Sequence, residues 1–314
     1  MLSGVIINTS TVIIFVADIR CGLVREMRGR VMRLNIGLRK LSNRWEIAIT
    51  VVLIMAILYA CVVVNCRSER AVSVRRIFPA ADRYWEDAKE EVYKSVPELM
   101  AQQRAELKRG ARRNILWRGP QRKKQVALTF DDGSHPTYTK EILDILARYK
   151  VKATFFLVGE MAERYPELVR AEVAGGHTIA NHTYHHVNLT KIPAGYIATE
   201  IRACDNVLTS IAHEPVHLFR PPGGDYNDTV AKVCETLGHT MVLWTDSPRD
   251  YLRPDVDIIK RRVLSKISAG GIILMHDGVQ QTVDALPYIL KALKSKGYQI
   301  VTVDEMLEEK KSKL

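Results

Sequence analysis

The sequence has no Cys-x-x-Cys pair. Its five cysteines (Cys21, Cys61, Cys66, Cys204 and Cys234) are too few and too scattered for a disulfide framework or a zinc ribbon. Cys204 and Cys234 lie in helix-like contexts, where most cysteines are small buried apolar groups, and a bridge between them is left open. No Gly-x-Gly-x-x-Gly follows the first β-type run, which argues against a dinucleotide fold. No Gly-x-Ser-x-Gly elbow is present for a Ser-His-Asp hydrolase. Acidic residues are scarce where basic ones collect. Within a net charge of +11, residues 1–44 carry +6 and residues 65–125 carry +8, whereas residues 126–314 come to −2 and hold all nine histidines. The basic excess belongs to the N-terminal portion, so no nucleic-acid partner is expected.

Ile47 to Val64 (IAITVVLIMAILYACVVV) is an 18-residue run without a charge. That is long enough to span a bilayer core, and it is apolar on every side, unlike an amphipathic core helix. Arg44 and Trp45 sit at its leading edge, as interface anchors do. Lys and Arg number seven in residues 25–44 against five in residues 65–84, which leans toward an inside N-terminus and an outside C-terminal domain. A cleaved signal peptide fits less well, because no small-x-small site follows the run. The expected order is a basic cytoplasmic segment (1–44), a single transmembrane anchor (45–65), a charged helical linker (66–120) interrupted at Pro97, and a catalytic domain (121–314). This describes a single-pass protein of the cell membrane with its catalytic domain facing outside.

From Val126 onward, β-type runs at 126–130, 153–158, 178–180, 217–219, 241–244, 271–275 and 299–303 alternate with amphipathic segments such as Tyr138–Tyr149, Pro166–Ala174 and Asp284–Lys296. Such a succession of β–α units predicts an α/β domain with a parallel sheet covered by helices, closed or nearly closed into a barrel. A doubly wound open sheet is the alternative.

In parallel α/β folds the reactive groups gather at the C-terminal ends of the strands. Five polar clusters fall there: Asp131 to Gly133, Asn181 to His186, Arg220 to Gly224, Asp246 to Tyr251 and Leu274 to Asp277. Two adjacent carboxylates ending an apolar run require a positive partner. His182 and His186, four apart, share one face of a helical turn. With a carboxylate from another strand end they make a zinc set of two nitrogens, one oxygen and an open position. His185 lies between them and should point away. One acid would ligate the metal, and the other would stay free to take a proton from water that the cation acidifies.

TFDDG (129–133), HTYHH (182–186), RPPGG (220–224), the RDY segment (249–251) and LMH (274–276) resemble, in this order, the five motifs of the polysaccharide deacetylase family. That family is also called carbohydrate esterase family 4, or the NodB-homology domain. The resemblance covers residues 126 to about 308. It implies a distorted (β/α)7 barrel and a bound Zn2+, or another divalent transition metal such as Co2+. It implies Asp131 as general base, and Asp132, His182 and His186 as metal ligands. Arg220 would orient the base, and a backbone N–H near Gly223 would help hold the oxyanion. His276 would be the general acid tuned by Asp250, with Leu274 beside the acetyl methyl. The sequence departs from the family pattern at Ser134, where proline is common, and at Gly223, where an aromatic residue often stands. Tyr251 replaces the usual tryptophan, and Ser247 stands where a first aspartate is common. These last two changes touch the substrate-side wall more than the reaction.

The implied reaction is metal-dependent hydrolysis of N-acetyl groups from an N-acetylglucosamine-containing glycan, with release of acetate. Peptidoglycan, poly-N-acetylglucosamine and chitin-like oligomers all fit. The alternatives are an esterase or other amide or imide hydrolase on the same fold, and a catalytically inactive glycan-binding domain. The expected partners are the glycan and, through the N-terminal anchor, the membrane.

Overall fold

The computed structural model describes residues 5–8, 11–14, 32–34 and 94–311, with side chains to residue 308 in the last segment. The chain divides into two units, Met1–Phe78 and Pro79–Leu314. In the first, β1 (Val5–Asn8) and β2 (Thr11–Ile14) form an antiparallel hairpin, and β3 (Met32–Leu34) pairs antiparallel with β2. The expected anchor at 45–65 and the first part of the linker, 66–93, lie outside the described residues. Among the described residues, no helix is long and apolar enough to cross a membrane.

The second unit is built on a parallel sheet. Its strands β5 (Gln125–Gly133), β6 (Thr154–Leu157), β7 (Thr178–Asn181), β8 (Leu218–Phe219), β9 (Thr240–Val242), β10 (Gly271–His276) and β11 (Gln299–Val301) fall on the expected β-type runs. An additional strand, β4 (Ile115–Leu116), is too short to register as an alternating pattern. The strand order is β10-β5-β6-β7-β8-β9-β4, and β11 pairs with the first half of β5. Beyond β9 the chain returns to β10. Asp246 bridges Ile273, Thr245 N–H donates to Ile272 O (3.0 Å), and Leu274 N–H donates to Asp246 O (2.9 Å). This single bridge closes the sheet into a barrel, so the open doubly wound alternative does not hold.

Helices cover the outside: α1 (Val96–Lys108), α2 (Tyr138–Arg148), α3 (Gly159–Arg164), α4 (Pro166–Ala174), α5 (Ala194–Ala212), α6 (Asp228–Thr236), α7 (Val256–Lys266), α8 (Gln280–Ser295) and α9 (Val303–Lys311). Alternation along each strand sorts side chains between two cores. On β5, Val126, Leu128 and Phe130 pack in the layer beneath the helices, while Ala127 joins the barrel interior. Thr129 and Asp131 continue the interior row by the same period. On β10, Ile273 and Met275 face the helices and Ile272 and Leu274 face inward, which puts His276 on the inner row. Cys204 and Cys234 are free and buried, as small apolar groups would be.

The domain boundary expected at residue 120 moves toward the N-terminus. Residues 94–120, assigned to the linker, belong to the compact unit. Pro97 begins a helix rather than interrupting one. It stands in the first turn of α1, where a missing N–H removes no helical bond. Ser95 donates its N–H (2.7 Å) and Oγ–H (2.6 Å) to the Glu98 carboxylate in a capping arrangement. Leu99 is fully buried, and the carboxylate of Glu106 accepts from the Tyr226 hydroxyl at 3.0 Å. β4 then adds beside β9. These contacts are made with distant parts of the chain, so charge and propensity within 66–120 could not show them. Leu99→Ala should therefore cost about 2–5 kcal/mol, as core truncations do, rather than the ~0.5 kcal/mol or less of a change on a solvated spacer. Urea unfolding of the two proteins checks this.

Candidate active site

Adjacent strand residues point to opposite faces, so two neighbouring acids should not share a site. A β-bulge resolves this. β5 pairs Asp131 with Phe156 and Gly133 with Leu157, which leaves Asp132 as an extra residue in the ladder. Its φ of 71° turns the chain back. Asp132 Oδ1 then lies 3.1 Å from His186 Nε2 and 3.5 Å from His182 Nε2, while Asp131 Oδ2 is 3.7 Å from His182 Nε2.

The two imidazoles converge, but not through the helical turn expected from their spacing. Residues 182–186 form a loop following β7, with Thr183 at φ 67° and His186 at φ 56°. Asn181 Oδ1 accepts the Thr183 N–H (2.8 Å) and opens the turn. Glu200, buried on α5, accepts the His185 N–H (3.0 Å) and meets its Nδ1 at 2.7 Å, so His185 is turned away from the cluster. Asp132, His182 and His186 each offer a ligand atom, and these atoms lie within 4.8 Å of one another. Two nitrogens and one carboxylate oxygen suit a divalent ion of the zinc kind. Burial disfavours charge on Asp132, yet the His186 and His182 rings outweigh it and hold the carboxyl well below its usual range.

Arg220, at the end of β8, has no exposed surface. Its Nη1 donates to Asp131 Oδ1 (2.5 Å) and Thr129 Oγ1 (2.9 Å), and its Nε to Val242 O (3.1 Å). The guanidinium lies 3.9 Å from the centroid of the Phe156 ring. Its carbonyl meets His182 Nδ1 at 2.8 Å, which leaves Nε2 facing the acids. One residue thus orients both Asp131 and a metal-ligand candidate. Thr129 also donates to Ile273 O (2.8 Å), so this threonine of TFDDG ties the site to β10.

His276 faces the same mouth from β10. Asp250 accepts its N–H (2.7 Å) and meets Nδ1 at 2.8 Å, and Thr282 Oγ1 donates to the same carboxylate at 2.6 Å. Thr282 carries no sequence signal, because it lies on α8, 32 positions beyond Asp250. Burial opposes charge on the imidazole, but Asp250, with Asp132 and Asp131 behind it, outweighs burial and raises the pKa to about 9. The Tyr251 ring stands edge-on to His276 at 5.4 Å. Leu274 is buried on the inner row, beside Tyr251 at the wall of one cavity. Gly223 adopts φ 62° in the 3-10 turn Pro222–Gly224, and its N–H meets no backbone acceptor among the described residues.

In wild-type protein, NMR titration of His276 should find the imidazolium persisting until pH approaches about 9. In Asp250→Asn the opposing burial remains while the largest support is lost, so the pKa should fall well below that of the wild type.

Comparison with known proteins places the chain in a family. The sequence profile of a family described as polysaccharide deacetylase matches residues 118–242. A peptidoglycan-N-acetylglucosamine deacetylase of Bacillus cereus is 41% identical over 201 residues, which span 62% of this chain and 94% of that protein. A chitooligosaccharide deacetylase of Bradyrhizobium sp. is 36% identical, over 56% of this chain and 88% of the other. Among solved structures, a wild-type CE4 family pseudoenzyme from Bacillus anthracis superposes with a TM-score of 0.59 at 30% identity, over 62% of this chain and 68% of that one. With this similarity extending over nearly the whole length of the Bacillus cereus enzyme, the chain belongs to the polysaccharide deacetylase family.

Proposed function

We propose that the protein hydrolyses N-acetyl groups on an N-acetylglucosamine-containing glycan of the cell surface, releasing acetate. The observation that carries this reading is the division of labour at the bulge. Asp132 joins His182 and His186 in one ligand cluster, while Asp131 is held by Arg220. The Bacillus anthracis relative shows that family membership alone does not decide activity. Here every ligand and proton-transfer position is filled, which favours an enzyme over an inactive glycan-binding domain.

A divalent ion held by Asp132, His182 and His186 would, when bound, polarise the amide carbonyl and lower the pKa of water. The chain's own residues do the rest. Asp131, kept in place by Arg220, which Thr129 in turn holds, takes the proton from the attacking water. The Gly223 N–H is a donor for the developing oxyanion, a role worth about 3–4 kcal/mol when well placed. His276, with its pKa raised to about 9, is charged at neutral pH and delivers a proton to the departing nitrogen. Asp250 holds that ring and offsets its charge. Leu274 and Tyr251 provide an apolar wall for the acyl methyl.

Asp131→Asn should abolish acetate release while zinc, followed by calorimetry, still binds; Asp132→Asn should weaken zinc binding itself. Equal loss of zinc in both would reverse the two roles. The substrate class is tested by incubating the zinc-loaded chain with peptidoglycan fragments, chitooligosaccharides and acetylxylan. Acetate from acetylxylan alone would make it an esterase. The uncharged run Ile47–Val64 supports a location at the cell membrane with this domain outside. Protease added to intact cells should then remove the catalytic domain, and its full protection would reject that orientation.

A further inference from the structure

Next to the catalytic histidine lies a cavity of about 580 Å³. Leu274 and Tyr251 form the wall nearest His276. Another wall is the first turn of α1 with the residues before it, Lys94 to Glu98. That wall precedes the part of the chain matched by the family profile, which begins at residue 118. A two-carbon acyl group fills only a small part of such a volume, which falls within the range of pockets for whole small molecules, ~300–1,000 Å³.

Two buried polar groups at this cavity are unpartnered. Asp246 is 2% exposed, and neither of its carboxylate oxygens has a hydrogen-bond partner among the described residues. The Ser247 N–H lies near the carboxylate without bonding geometry. The Trp244 indole N–H is likewise unpartnered. Burial raises the Asp246 carboxyl to about 7, against the pull of Lys266 and the Ser247 amide. Such groups cost stability, about 1–3 kcal/mol each when left unsatisfied, so their retention points to a ligand that satisfies them. Charges around the cavity balance in number: Lys94 pairs with Asp225 at 2.8 Å, and Arg249 and Lys266 are matched by Glu98 and Asp246, which feel them at longer range. A near-neutral site with aromatic walls and two buried hydrogen-bonding groups fits an uncharged polyol ring better than a carboxylate-bearing ligand.

We propose that this cavity is a subsite for the pyranose ring adjoining the reacting N-acetyl sugar, with Asp246 accepting hydrogen bonds from its hydroxyls and Trp244 donating to one of its oxygens. In the present conformation neither group reaches solvent, so engagement requires the Asp246 side chain to turn toward the cavity. The inference deepens the proposed glycan deacetylase reading and rests on it for the identity of the ring.

The test compares N-acetylglucosamine and chitotriose binding by calorimetry to the zinc-loaded full chain, its Asp246→Asn and Asp246→Leu forms, and Trp244→Phe. In the wild type, affinity rises from monomer to trimer. In the variants that gain shrinks about tenfold, the loss of one charge-assisted hydrogen bond. Asp246→Leu also raises the melting temperature by ~2–4 °C, because an unpaired buried carboxylate is removed. A wild-type chain that binds chitotriose no better than the monomer overturns the subsite. So does a gain that stays within twofold of wild type in the variants. An affinity loss accompanied by a lower melting temperature in both Asp246 variants counts equally against it, since that marks a structural carboxylate. Acetate release by the wild type separates the two readings. Asp246-dependent binding without release keeps the subsite and rejects the deacetylase, whereas release with unchanged binding in the variants does the reverse.

Discussion

The site is organised around a guanidinium that has no contact with water. Arg220 is buried among Phe156, Thr129 and the backbone of β9, and its charge is compensated by Asp131. Removing either partner of such a pair leaves a buried charge unpaired, a cost of roughly 3–5 kcal/mol. That cost holds the pair together, and the pair fixes where the site can be. The same residue's carbonyl sets which nitrogen of His182 faces the acids. The geometry of the site therefore depends on one side chain, which reaches from the end of β8 across the barrel interior to Asp131 on β5 and to Val242 on the neighbouring β9.

From this anchor the two acids acquire different surroundings. Asp131 follows the regular inward row of β5 and meets Arg220. Asp132 is displaced by the bulge and meets the imidazoles. Identical side chains, one residue apart, are thus separated by backbone geometry rather than by composition. Asp250 plays the corresponding part for His276, gripping both its backbone N–H and its ring. Each reactive group is held by a buried partner from a different strand end, the arrangement that leaves a preorganised site least free to shift.

The segment before the barrel shows how a local reading can mislead. Residues 94–120 are polar and basic, and by composition they describe a spacer. The structure uses them as α1 and β4, covering one side of the barrel and forming one wall of the cavity beside His276. Their apolar contribution is concentrated in a few positions, Leu99 and Leu116 among them. A face so narrow leaves little periodic signal, and its burial depends on surfaces more than a hundred residues away.

The succession of β and α elements is legible along the chain, because the alternation of apolar runs records burial directly. The polar clusters at the strand ends are likewise legible there, with the residues that gather at one mouth: Asp131, Asp132, His182, His186, Arg220, Asp250 and His276. Their order and type are covalent facts. Folding settles which acid faces the imidazoles, since that follows from a bulge set by pairing between β5 and β6. It likewise decides that His182 and His186 meet through left-handed loop residues rather than a helical turn, and that Thr282 and Glu200 support the site from helices far along the chain. These are contacts between distant segments, and no local pattern encodes a contact whose partner lies elsewhere in the chain.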